Sequence, residues 1–247
     1  MCVFHNEDYI KLLDLLIFSI AHNSDGITDV LIMTSPDFLR IIQNKLHNNM
    51  YKFHIYYMTQ QFTSLFEAGC ARLHIFDYEH INKYNKILYL DTDVLVRGNF
   101  NTLFNTEIAH NKIHALEEGN IGHVWWGGQF FDFSNNYTPD MSGFSSGVMY
   151  FYNSQEIKHL FVVIKNHIKN YMNSGMHHPD CLDQPFIIYN SYMRGMADTQ
   201  LMKQFLKNNA DSISSTNMIY HFPGGVGHYQ SKYHKMISFL HKIIRAE

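Results

Sequence analysis

The chain predicts an α/β fold built on a Rossmann-like, mainly parallel sheet with helices on both faces, and three observations carry that expectation. Through the first 91 residues, short apolar runs rich in Val, Ile and Tyr alternate with helical periodicity, the pattern of parallel strands joined by crossover helices. Ile87-Leu88-Tyr89-Leu90 is a continuous apolar run ending in Asp91, which reads as a strand covered on both faces with its carboxyl end open to chemistry. The 247 residues, 46% hydrophobic and 17% charged, suit one globular domain with a large core.

Taken in order, 1–4 reads as a short strand and 9–21 as an amphipathic helix. A second strand is expected over 29–34, followed by a helix that Pro36 opens and that runs to about His47. Strand 53–58, helix 67–81 and strand 87–91 complete the alternation. Beyond it, 113–116 and 148–152 read as strands, 155–171 as a helix, and 180–192 as helical from Pro185. Residues 218–222 form a short expected strand before Gly224-Gly225-Val226-Gly227, and a basic amphipathic helix covers 231–245.

Composition excludes several classes. A net charge of -3 gives no nucleic-acid signature. The three cysteines, Cys2, Cys70 and Cys181, have no CxxC spacing, which favours reduced thiols and a cytoplasmic location over a disulfide scaffold. No signal-peptide pattern is visible, and the apolar segment 12–21 contains Asp14 and is too short to span a bilayer, so a soluble protein is expected. The 15% aromatic share fits either a Tyr- and Phe-rich core or stacking platforms for sugars and bases. Lys232, Lys235, Lys242 and Arg245 on the closing helix fit a solvated face, with peripheral contact to an anionic membrane as the alternative. A homodimer is compatible with all of this.

Chemistry concentrates at Asp91-Thr92-Asp93. Alternate residues of an extended segment point the same way, so both carboxylates can address one target. They repel each other unless a cation lies between them, and hard oxygen ligands suit manganese or magnesium; the alternative is a strand end with two solvated acids, as at an ordinary βα turn. His221, leaving a strand, is a candidate further ligand, and the glycines after it allow backbone N–H groups to approach a phosphate closely; alternatively, the segment is a Gly-rich turn beside a core histidine. Asp183-Gln184-Pro185 at a helix start pairs an acceptor with an amide that both donates and accepts, suited to a polyhydroxylated ligand; alternatively, Asp183 is only an N-cap. Gly143-Phe144-Ser145-Ser146-Gly147-Val148-Met149 offers two hydroxyls and close backbone approach, or is a hairpin corner.

Order and spacing together resemble glycosyltransferase family 8, the glycogenin and bacterial galactosyltransferase group, over almost the whole chain. The residues that carry the resemblance are His5-Asn6-Glu7-Asp8-Tyr9 after the first strand, Arg72-Leu73, Asp91 and Asp93 followed by Leu95-Val96 and Leu103-Phe104, Phe144-Ser145-Ser146-Gly147-Val148, Asp180 with Asp183-Gln184, and His221 with Gly224. The resemblance implies a single GT-A type nucleotide-sugar-binding domain over 1–247, with a nucleotide part to about 105, an acceptor part over about 106–230 and a closing helix. It implies a retaining, metal-dependent transfer of glucose or galactose from a UDP-hexose to a carbohydrate or protein hydroxyl. Asp91, Asp93 and His221 would hold Mn2+ or Mg2+. Val3, His5, Asn6 and Tyr9 would contact the nucleotide, with Tyr9 stacked on uracil. Arg72, Asp180, Asp183 and Gln184 would bind the sugar, the last three as the catalytic set, and Thr92, Ser146, Gly147 and Gly224 would line the donor site. The aromatic loop from Trp125 to Tyr137 is the expected acceptor wall, and self-glycosylation on one of 16 tyrosines is conceivable. Gly227 stands where the family has a diphosphate-gripping lysine; His228 is expected to compensate, with Lys232 as the other candidate. Two alternatives are a haloacid dehalogenase-type phosphohydrolase, which also uses Asp-x-Asp after an apolar strand, and a catalytically weak nucleotide-sugar-binding module.

Overall fold

A computed structural model of the chain describes residues 2–3, 7–23, 29–46, 51–133, 136–224 and 229–245. In chain order its elements are β1 (Cys2–Val3), α1 (Asp8–Asn23), β2 (Val30–Thr34), α2 (Pro36–Leu46), β3 (Ile55–Thr59), α3 (Leu65–Gly69), β4 (Lys86–Leu90), β5 (Val94–Val96), α4 (Asn101–Asn105), β6 (Ile113–Asn120), β7 (Ser142–Tyr152), α5 (Gln155–Asn173), α6 (Gln184–Met193), β8 (Ala197–Asp198), β9 (Leu206–Asn208), β10 (Ile219–His221) and α7 (Tyr229–Arg245). They fall into two compact units, one of residues 1–68, 90–106 and 204–247, the other of 69–89 and 107–203.

The first unit begins with the expected parallel alternation. β1, β2 and β3 pair in that order, in register from Val30↔Ile55 to Thr34↔Thr59. α1 buries Leu12, Leu13, Leu16, Ile17 and Ile20 along one face, as its periodicity requires. Its Ser19 Oγ accepts from Val96 N at 3.0 Å, and Asn23 Nδ2 donates to the Val96 carbonyl at 2.9 Å, which fixes α1 on β5. A second small sheet runs β5-β10-β9, with β10 antiparallel to β5 and parallel to β9. α7 closes this unit by burying Met236, Phe239, Leu240 and Ile243 against Leu12, Leu95, Tyr220 and Phe222.

The second unit holds a sheet of order β4-β7-β6-β8, in which β6 and β7 are antiparallel and β6 and β8 parallel. Residues 143–151 of the central strand β7 are all buried, so Gly143 to Met149 is continuous strand and not a hairpin corner. α5 starts from Ser154, whose Oγ accepts from Ile157 N at 3.2 Å. Much of the aromatic content is core. Phe130 lies 4.9 Å from Phe186 and 4.8 Å from His167, and Phe131 lies 5.1 Å from Tyr189, centroid to centroid.

The expected helix over 67–81 departs from expectation. The α-helical turn stops at Gly69, and the chain tightens into a 3-10 helix over Cys70–Asp77. Gly69 lies against Leu182, where a Cβ would sit 2.4 Å from Leu182 Cδ1. β5, β8 and β9, of two or three residues each, are additional to the strands expected beyond Asp91.

Candidate active site

In the first unit, strand register assembles the site. Pairing sets His221 opposite Val94 on one side and Asn208 on the other, and Phe222 N donates to the Asp93 carbonyl at 2.9 Å. The imidazole of His221 therefore meets the Asp-x-Asp turn between β4 and β5. Ligand atoms of Asp91, Asp93 and His221 all lie within 4.8 Å of one another. His221 Nε2 is 3.4 Å from Asp93 Oδ1, while its Nδ1 is 3.1 Å from Asn208 Oδ1. An amide oxygen only accepts, so Nδ1 carries the proton and the Nε2 lone pair is directed toward the aspartates.

Asp93 is 6% exposed, and its Oδ1 has no hydrogen-bond partner among the described residues. A buried carboxylate oxygen facing an imidazole lone pair is repulsive unless a cation lies between them. The donor set of two carboxylates and one nitrogen fits a hard divalent cation. The other oxygen is held differently: Lys232 Nζ, from the first turns of α7, donates to Asp93 Oδ2 at 2.5 Å. Burial by itself would raise the Asp93 carboxyl, but the Lys232 ammonium, joined by the His221 ring whenever that ring is protonated, outweighs it and holds the group well below the usual carboxylate range. Burial would likewise lower the Lys232 ammonium, yet the Asp93 carboxylate raises it. Tyr9, in the first turn of α1, belongs to the same neighbourhood. Its ring centroid lies 6.3 Å from Tyr229, and burial, with Asp93 and Asp91 adding to it and Lys232 opposing, raises its phenol.

The second unit carries a separate cluster. Arg72, on the 3-10 helix and 8% exposed, sends Nη1 to the Ser146 carbonyl at 2.6 Å and Nε to Asp183 Oδ2 at 3.1 Å. Its guanidinium also lies over the Tyr89 ring, 4.8 Å from the centroid. Asp183 is 1% exposed and makes no capping hydrogen bond to α6, so its carboxylate serves Arg72 and not the helix end. Leu182, immediately before it, has φ 55, a left-handed backbone that leucine rarely adopts, at the turn that aims Asp183. Gln184 is fixed at both ends of its amide. Oε1 accepts from Ser146 N at 3.0 Å and Ser146 Oγ at 3.3 Å, and Nε2 donates to the Trp125 carbonyl at 3.2 Å. Asp180 is exposed in the preceding turn. The neighbouring thiol of Cys181 is pushed up to about 11 by burial, Asp180 and Glu118, which leaves it inert as a nucleophile at neutral pH.

The structure thus gathers Tyr9, Asp91, Asp93 and His221 in one unit, with the turn residue Thr92 buried between the aspartates. It gathers Arg72, Ser146, Asp183 and Gln184 in the other, with Gly147 next along β7. His5, Asn6, Gly227 and His228 lie outside the described residues, as does the side chain of Val3; Gly224 is the last described residue of its loop. Lys232 is not on a solvated face with Lys235, Lys242 and Arg245, because it is turned onto Asp93. Within the aromatic loop, Trp125 is 45% exposed, whereas Phe130, Phe131 and Tyr137 pack against Phe186, Tyr189 and Tyr192. Asn208 and Tyr89 are site residues that no sequence pattern announces. No helix among the described residues is long and apolar enough to cross a membrane.

Comparison with known proteins gives the family and the fold. The family model described as glycosyl transferase family 8 matches residues 5–180. No curated protein sequence matches significantly. Among solved structures, apo mouse xyloside xylosyltransferase 1 superposes with a TM-score of 0.59 at 13% identity, covering 88% of this chain and 93% of that one. The galactosyltransferase LgtC, in complex with donor and acceptor sugar analogues, gives 0.56 at 16% identity and 94% of both chains. The apo glycosyltransferase GlyE of Streptococcus pneumoniae TIGR4 gives 0.57 at 13%, covering 96% of this chain and 60% of that one. These likenesses establish a GT-A type fold, and because the family model matches residues 5–180, well over half of the chain, the chain is a glycosyltransferase belonging to glycosyl transferase family 8.

Proposed function

We propose that the chain, as one catalytic domain, transfers a hexose from a UDP-sugar to a hydroxyl acceptor with retention of configuration, using Mn2+ or Mg2+. The observation that carries this reading is the convergence of Asp91, Asp93 and His221 around the orphaned, buried Asp93 Oδ1. The cation held there would act as a Lewis acid on the diphosphate leaving group. Asn208 keeps His221 in the tautomer that can ligate, and Tyr9, with Val3, His5 and Asn6, takes the nucleotide. Thr92, Gly224 and His228 are assigned to the diphosphate surroundings.

Arg72, Ser146, Gly147, Asp180, Asp183 and Gln184 are assigned to the donor sugar. Arg72 and Asp183 lock each other's orientation, so the groups they present to hydroxyls are held rigidly before substrate arrives. Gln184 Oε1 already accepts two hydrogen bonds from Ser146, and an amide is a weak nucleophile. That occupancy supports front-face transfer, with the acceptor attacking on the side the leaving group vacates, over a covalent intermediate on Gln184. The exposed face of Trp125 is assigned to the acceptor.

The test is UDP release from a panel of UDP-sugars in Mn2+ or in EDTA, for wild type and Asp93→Asn. Release from one sugar that requires metal and is lost in the variant is the expected result. Metal-independent release, or release unaffected by the substitution, refutes the assignment of Asp93.

A further inference from the structure

The feature of the first unit that the proposed chemistry does not use is the ammonium of Lys232. It is set 2.5 Å from Asp93 Oδ2, and both side chains are nearly closed to solvent. Its position is built in. α7 is anchored by Met236, Phe239, Leu240 and Ile243 on Leu12, Leu95, Tyr220 and Phe222, and Lys232 lies one helical turn before Met236 on the same stripe. Asp91, Asp93 and Lys232 bring two negative charges and one positive charge to the place where His221 directs a lone pair. A divalent cation entering at Asp93 Oδ1 meets the Lys232 ammonium, held on Oδ2 of the same carboxylate, as a like charge a few ångströms away, and the two compete for that one negative charge.

We infer that Lys232 is a positioning residue that serves as the resident counter-ion of Asp93, yields that carboxylate when the divalent cation binds, and then turns its charge to the diphosphate. No proton is transferred, because the ammonium stays charged and exchanges one anionic partner for another. The consequence is coupling: cation and nucleoside diphosphate each bind weakly alone and tighten one another, since the diphosphate gives the displaced ammonium a new anionic partner. Only the second half of this exchange rests on the UDP-sugar reading above.

The experiment is calorimetric titration of the full chain with MnCl2, first alone and then in the presence of UDP, for wild type, Lys232→Met and Lys232→Arg. Lys232→Met is expected to bind Mn2+ at least about tenfold more tightly than wild type in the absence of nucleotide, and to lose most of the tightening that UDP gives wild type. Lys232→Arg, which keeps the charge, is expected to stay close to wild type without nucleotide. A merely structural lysine would not make metal binding stronger when removed. Thermal melting with and without Mn2+ covers the case in which Lys232→Met is unstable alone: its midpoint should rise with the metal by more than that of wild type. Equal Mn2+ affinity in all three proteins overturns the exchange while leaving the transferase reading intact. Tighter Mn2+ binding by Lys232→Met without any UDP binding upholds the displacement and overturns the donor assignment. Absence of Mn2+ binding throughout, with or without UDP, overturns both.

Discussion

Replacing Arg72 by Met should destabilise the protein by about 3–5 kcal/mol, the range for removing one partner of a buried ion pair. Two charge-assisted contacts disappear, Nε to Asp183 Oδ2 at 3.1 Å and Nη1 to the Ser146 carbonyl at 2.6 Å. At roughly 1.5–3 kcal/mol each they sum to about 3–6 kcal/mol, and the apolar stem of methionine recovers part of the packing over Tyr89. The larger consequence falls on Asp183, which at 1% exposure has no access to water in place of the guanidinium. Asp183→Asn removes the charge but keeps an acceptor of the same shape, and is expected to cost less. In the double variant no buried charge faces the lost partner, so its cost should fall short of the sum of the two single costs by about 2 kcal/mol or more. Urea unfolding followed by circular dichroism gives all four stabilities in the cycle. If the two single costs add to within about 0.5 kcal/mol, the pair is not coupled, and the assignment of Asp183 to Arg72 is wrong.

Acid should weaken the fold through two histidines, the buried His114 and the half-buried His167. Burial lowers His114 despite Asp198 at 3.1 Å, and burial lowers His167, whose Nδ1 accepts from Asn190 Nδ2 at 3.0 Å and must be neutral to do so. The unfolded chain takes up these protons near the ordinary value of 6.5, before the folded one does. Stability is therefore intact above about pH 6.5 and is lost as pH falls below it. Urea midpoints at about pH 7.5 and pH 5.5 measure the loss, which His167→Gln should reduce; an equal loss in the variant refutes the role of His167. Glycine substitutions should divide by surroundings. Gly128→Ala would place a Cβ 2.3 Å from the Gly122 carbonyl oxygen, a backbone clash expected to cost about 2 kcal/mol or more. Gly175→Ala, with φ +79 but nothing within 4 Å, should cost only about 1 kcal/mol. Equal melting shifts for the two would contradict the packing around Gly122.

What the sequence made legible was local, and what it concealed depended on long-range pairing. The Asp-x-Asp turn announces itself because an apolar run, two acids and a second apolar run are contiguous. His221 could be named beside it, but not why it arrives there; that follows from β10 pairing antiparallel with β5, across more than a hundred residues of intervening chain. Asn208 carries no signal at all, since β9 is three residues long and exists only as a partner for β10. The 3-10 tightening begins where Gly69 is packed against Leu182, a residue far away in sequence with an unusual backbone of its own. Lys232 is the instructive case. Counted with Lys235, Lys242 and Arg245 it belongs to a basic helix with an outward charged face. Yet 232, 236, 239, 240 and 243 form one helical stripe, and the last four are buried core. A lysine continuing an apolar stripe must either leave the core at the helix end or find an anion within it, and across 139 residues of chain Lys232 finds Asp93. Periodicity therefore held the signal that charge counting hid: the phase of a lysine on its helix, and not its membership of a basic cluster, decides whether it meets water or a buried carboxylate.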